Sequence, residues 1–195
     1  GLGDVYKRQR QIVENYKPSI PISSSWEVIP LLNLCENLDS KRIPITSSDR
    51  ETGDVPYYGA SGIVDYVKDY IFDEPLLLIS EDGANLLARS TPIAFSISGK
   101  TWVNNHAHVI TGKNGFSVEL LYLLFSVTSV QSIVTGAVQP KISQTNLNKV
   151  PVIVPSEDEL KTFDATVQSI FAQIRNLRAE NDRLAITRDT LLPRL

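Results

Sequence analysis

The spacing of hydrophobic residues along this chain changes near residue 155. Beyond it, Leu160, Phe163, Val167, Ile170, Ile174, Leu177, Asn181, Leu184, Arg188 and Leu191 alternate three and four apart. That is the a and d pattern of a coiled-coil heptad, with Leu160 at an a position. Ser156-Glu157-Asp158-Glu159 stands just before it. This is a capping box, in which the serine hydroxyl accepts from the third backbone N–H and the glutamate reaches back. The pattern predicts one helix ending near Pro193, about 36 residues and roughly 54 Å long. Asn181 falls at an a position, where a polar residue fixes register. The alternative is a helix packed on its own domain, but a strict seam this long calls for a second helix.

Before residue 155 the texture is short strands and loops. Residues 76–80 form a continuous apolar run of strand length, expected to be a buried strand. Residues 93–97, 101–103 and 107–110 are further strand candidates, and 81–85 and 112–115 look like turns. One helix is expected after Ser117, which can cap it, with Glu119 in its first turn and Gly136 as its stop. Residues 150–154, between Pro151 and Pro155, close the domain as an edge strand. At the other end, residues 1–9 read as a tail, 11–16 as the last turns of a helix, and 18–25 as a Pro- and Ser-rich linker. The organisation is therefore an N-terminal tail and linker over 1–25, a domain over 26–155 and a long helix over 156–195. The fold class is α+β: a mixed, strand-rich domain followed by one coiled-coil helix.

Composition narrows the function. Hydrophobic residues are 42% and charged residues 21% of the 195, a globular balance. The single cysteine, Cys35, lies in an apolar run and reads as a buried thiol in a reducing cytoplasm. No apolar run reaches membrane-spanning length, so no membrane partner is expected. The net charge of −3 argues against a protein that coats nucleic acid without regard to sequence. The charge is uneven, however. Between residues 99 and 150 stand Lys100, Lys113, Lys141, Lys149, His106 and His108, against the one acid Glu119. A locally basic stretch in an acidic chain is a candidate anion-facing surface.

Catalytic signals are few. There is no phosphate-binding loop of the P-loop type, and no Asn/Asp-Pro-Pro-aromatic tetrapeptide of amino-methyltransferases. His106 and His108 alternate on an expected strand and could share a face as metal ligands, but no third ligand is apparent. Glu81, Asp82 and His106 offer acid–base groups without a visible nucleophile. No catalytic residue, metal or cofactor is expected. Polar density instead gathers where loops meet strands: residues 57–62, 100–108 and 136–144. Asn and Gln can pair with adenine edges, and Lys with guanine or phosphate.

These stretches resemble target-recognition domains of type I restriction–modification specificity subunits. The resemblance rests on Pro-Tyr-Tyr-Gly-Ala-Ser-Gly-Ile-Val-Asp-Tyr (56–66) and Leu-Leu-Leu-Ile-Ser-Glu-Asp-Gly-Ala-Asn (76–85). It rests equally on Gly-Lys-Thr-Trp-Val-Asn-Asn-His-Ala-His-Val (99–109) and Gly-Ala-Val-Gln-Pro-Lys-Ile-Ser (136–143). It implies a non-catalytic subunit that reads one half of a bipartite site in double-stranded DNA. Methyltransferase subunits dock on it, and a restriction subunit can join them. A complete subunit of that family has two such halves, whose helices pair antiparallel. On the polar density of these loops, the contacts to DNA are expected among Tyr57, Ser61, Lys100, Asn104, Gln139, Lys141 and Ser143. The implied partner of the long helix is a second spacer helix, in the same chain or in a second copy. Residues 11–18 resemble the end of a preceding conserved helix. The competing expectations are a stand-alone dimeric DNA-binding module and a hydrolase or nuclease built on Glu81, Asp82 and His106.

Overall fold

The computed structural model describes residues 23–88 and 90–192. The expected tail, helix end and most of the linker fall outside them, as does Pro193.

Two four-stranded sheets form the head, and one strand explains how they are joined. Leu76–Ser80 (β6) is buried at every position. It is the inner strand of an antiparallel sheet in which Cys35–Asn37 (β2), Ala107–Gly112 (β9), β6 and Ala94–Ile97 (β7) lie in that order. Successive side chains of a strand point to opposite faces. Leu77 and Ile79 accordingly enter a larger core with Leu31, Leu34, Ile110, Leu121 and Phe125. Leu76 and Leu78 enter a smaller core with Phe72, Val103 and Val109. Apolar packing on both faces is why β6 reads as an unbroken hydrophobic run rather than an alternation.

The second sheet covers the smaller core. Its order is Gly62–Val67 (β4), Thr52–Gly59 (β3), Lys100–Val103 (β8) and Phe72–Asp73 (β5). The β3–β8 pair is parallel and the others are antiparallel. Glu27–Pro30 (β1) pairs antiparallel with Pro151–Val154 (β12), closing the head. Both strands are edges, so their prolines interrupt no central ladder.

The larger core is covered by helices. Asn85–Ala88 (α1) is a single turn. Val118–Val127 (α2) is capped by Ser117, whose hydroxyl accepts from the Leu120 N–H at 3.1 Å. Gly136 was expected to end α2, but the helix stops at Thr128. Ser126, Thr128 and Ser129 crowd this end, and such residues compete with the helical backbone; the Ser126 hydroxyl donates to the Leu123 carbonyl. Gly136 instead takes a left-handed φ of 86° in the turn between Val134–Thr135 (β10) and Lys141–Ile142 (β11). Any side chain there would collide with the Gln139 carbonyl. Gln144–Leu147 (α3) follows, N-capped by Ser143.

Glu157–Leu191 (α4) is a continuous helix of 35 residues, about 52 Å long. Both halves of its capping box are formed, and Glu159 also accepts from Trp26 Nε1 at 2.9 Å. Leu160 and Val167 are buried in the larger core. Phe171 packs edge-on to Tyr122 of α2, with ring centroids 5.7 Å apart. Polar contacts tie the same side down. Ser117 donates to Asp164 at 2.6 Å, while Glu119 accepts from Gln168 at 2.8 Å and from Arg175 at 2.6 Å. Burial pushes the Glu119 carboxyl up, but the bonds from Gln168 and Arg175 outweigh it and hold the group below its ordinary range.

Candidate functional site

The polar turns singled out in the sequence belong to different parts of the chain, and the end of β6 gathers them. The Ser80 hydroxyl donates to the Ala60 carbonyl in the β3–β4 turn. The Glu81 N–H donates to His106 O at 2.9 Å in the β8–β9 turn. The Glu81 carbonyl accepts from Ile142 N at 2.8 Å, and Gly83 N donates to Pro140 O at 3.1 Å. Asp82 forms an isolated bridge with Lys141. Three turns, 59–62, 104–106 and 136–140, are thereby fixed to one strand end.

Beneath them lies a network of ions. Asp39 accepts from His108 Nδ1 at 2.6 Å and from Val109 N at 2.8 Å. His108 Nε2 donates to the Ile142 carbonyl at 2.8 Å. Arg42 donates to Glu81 at 2.7 Å and to Ala107 O at 2.6 Å, and Lys141 pairs with the other Glu81 oxygen at 3.0 Å. Burial pushes the Asp39 carboxyl up, but His108, the Val109 N–H and Arg42 outweigh it and hold it below its ordinary range. Glu81 is likewise raised by burial and lowered further by Arg42, Lys141 and His108. Asp39, Glu81 and His108 have ligand atoms within 4.8 Å of one another. Arg42, Lys141 and His108 itself already occupy the carboxylate oxygens, so the chemistry is ion pairing rather than metal binding.

The two histidines separate here. His108 is buried in the network, whereas His106 is exposed, with Nδ1 2.8 Å from Asp82 Oδ2. They do not share a ligand set, because each ring is taken by its own acid. Glu81, held by Arg42 and Lys141, is not a free acid or base.

The expected DNA contacts divide in the same way. Ser61, Gln139 and Lys141 are exposed on the gathered turns. Tyr57 is only 1% exposed, its hydroxyl turned to the Ile45 backbone and its ring under Arg50 at 4.4 Å. It is a buried residue, and the expected contact is withdrawn: β3 is an inner strand, and Arg50 and the Ile45 backbone cover the Tyr57 side chain. Asn104 is also buried, its side chain accepting from His106 N at 2.8 Å, so it shapes the β8–β9 turn. Ser143 spends its hydroxyl on the Asn146 N–H at 3.2 Å. Lys100 is exposed at the opposite end of β8, 4.8 Å over the Tyr70 ring. Asp39 and Arg42, central to the network, were not singled out in the sequence. Their only local signal is an acid and a base three apart, a common surface pattern.

The long helix presents a second feature. The d row is bare: Phe163 is 55% exposed, Ile170 51%, Leu177 59%, Leu184 59% and Leu191 74%. Phe163 also lines an apolar groove of 630 Å³ with Trp26, Leu120, Leu124 and Leu160. No helix among the described residues is long and apolar enough to cross a membrane.

A head of two sheets with gathered polar turns and a projecting heptad helix matches known proteins. Residues 23–185 match the family model of the type I restriction modification DNA specificity domain. The chain belongs to that family. A Haemophilus influenzae protein described as a type I restriction enzyme specificity subunit is 33% identical over 132 residues, covering 68% of this chain and 34% of its own. The crystal structure of the S subunit of a type I restriction–modification system from M. genitalium superposes with a TM-score of 0.62 at 16% identity. It covers 100% of this chain and 56% of that one. A structure from work on the assembly and conformational transition of a type I system gives 0.55 at 14% identity, over 96% and 50% of the two chains. The chain thus spans about a third of the curated relative and about half of each solved structure.

Proposed function

We propose that this chain reads one half of a bipartite DNA sequence as half of a type I specificity subunit, with no catalysis of its own. One observation carries the reading. In a domain of the DNA specificity family, turns from separate parts of the chain meet at the end of β6 and expose Ser61, Gln139 and Lys141 together. Short polar side chains on turns held by a rigid sheet suit base edges in the major groove. The acidic net charge means that the lone chain supplies few phosphate contacts. Methyltransferase subunits complete the binding, bring the methyl donor and act on adenine, and a restriction subunit joins that assembly. The long helix pairs through its bare d row with the equivalent helix of another half, in cis or from a second copy, and sets the distance between half-sites.

The test is assembly. The full subunit is expressed with its methyltransferase, and methylation is mapped on a randomised duplex library. One bipartite motif supports the reading, and methylation without sequence preference opposes it. Lys141→Ala then sorts its contact. Loss across all sequences marks a phosphate, whereas relaxation of one position by roughly 1–3 kcal/mol marks guanine.

A further inference from the structure

The His106–Asp82 pair is absorbed neither by the core nor by the contacts named above. We propose that it is a phosphate seat: His106 donates from Nε2 to a backbone phosphate of the bound duplex, and Asp82 is its positioning residue. The inference rests on the DNA-reading proposal and extends it to one side chain and one atom.

The geometry is specific. His106 lies in the β8–β9 turn, whose shape is set by Asn104 accepting from the His106 N–H at 2.8 Å. The carbonyl of the same residue accepts from Glu81 N at 2.9 Å. Its backbone is therefore fixed on both sides. The ring is fixed as well, with Nδ1 2.8 Å from Asp82 Oδ2, while about half of the side chain stays open to solvent. The backbone of Asp82 is itself held by an isolated antiparallel β-bridge to the Lys141 backbone. Nδ1–H faces the carboxylate, so Nε2 is the nitrogen left for a ligand. When the ring is neutral, Nε2 carries a lone pair and repels a phosphate. When the ring is protonated, Nε2–H is a charge-assisted donor.

The charged group against the ring is Asp82, and Glu81, Lys141, Asp39, Arg42 and His108 form the adjoining ion network. Glu81 is engaged by Arg42 and Lys141, and Asp39 by His108. Asp82 is thus the acid that holds the His106 ring. Binding should take up one proton, so affinity rises as pH falls.

The experiment measures duplex affinity of the assembled methyltransferase complex between pH about 8 and about 6 at several salt concentrations. Wild type should tighten as pH falls. His106→Gln should lose about tenfold at the acidic end. Its salt slope should fall by about 0.9, one phosphate's worth, with the preferred sequence unchanged. His106→Lys should restore the slope without the pH dependence. Asp82→Asn keeps an oxygen for Nδ1–H but removes the charge that holds the ring, so the tightening on acidification should be smaller than in wild type. A specific wild-type complex whose His106→Gln form matches it in affinity, slope and pH profile overturns the inference. So does a change of preference at one base pair with the slope intact, which would make the contact a base. A wild-type complex without sequence preference sinks the DNA-reading proposal itself, and this inference with it.

Discussion

The two hydrophobic rows of α4 are alike in sequence and different in fate. Leu160 and Val167 of the a row are 8% and 4% exposed, and Ile174 is half-buried, lining a pocket with Tyr58 and Phe171. The d row, three residues further along in each heptad, is at least half exposed throughout its length. The a row belongs to the fold of the head, because α2 and the larger core cover it. The d row is left uncovered by the head, and on the proposed reading it is buried in an assembly, where burial would recover about 1.5–3 kcal/mol per large side chain. A helix on its own domain and a helix awaiting a partner are therefore not rival descriptions. The first holds for the a row and the second is the proposal for the d row; beyond Arg178 the helix leaves the head, and Asn181 is exposed as well.

Breaking the a row should have the largest effect. Val167→Asp puts a charge into the core and should cost about 3–5 kcal/mol, read by urea unfolding of the chain. Glu119→Ala removes the acceptor for Gln168 and Arg175. It should cost about 1–2 kcal/mol, discounted because Arg175 is partly in solvent. Acid should act through the same groups. Asp39, Glu81 and Glu119 are all held below their ordinary values in the folded state. Their contribution is present above the unfolded carboxylate pKa and is lost as pH falls through the folded values. Stability should therefore hold down to about pH 5 and decline below it, and Glu119→Ala should flatten that decline. The smallest effect on stability belongs to the d row. Leu177→Asp should change the chain's own unfolding by under about 0.5 kcal/mol while abolishing association of spacer helices, seen by sedimentation. Equal destabilisation by Val167→Asp and Leu177→Asp would erase the distinction between the rows.

What the sequence made legible follows from the range of each interaction. The capping box, the heptad and β6 are local patterns, and the structure keeps all of them. The end of α2 was misread because Gly136 looked like a helix stop, when its φ serves a hairpin eight residues beyond Thr128. Tyr57 was misplaced because a tyrosine beside Gly59 and Gly62 suggests an exposed turn. Only the parallel pairing of β3 with β8 shows that its strand is an inner one. The alternation of His106 and His108 was visible, but their chemistry was not. It depends on Asp39 and Asp82, which reach them from distant parts of the chain, and on Arg42, which donates to the Ala107 carbonyl between them.

The central claim is that a DNA-reading head is set at a fixed distance by the d row. Deleting residues 177–183 removes one heptad from the stretch beyond the head and keeps the row in phase. The same deletion is made in the partner helix, so that the pair shortens by about 10.5 Å, or about three base pairs at roughly 3.4 Å each. A matched insertion of one heptad is the companion variant. Methylation of a library with randomised spacer length reads both. The account predicts unchanged half-site sequences, a gap about three base pairs shorter for the deletion, and one longer by the same amount for the insertion. Active variants that keep the original gap would contradict it.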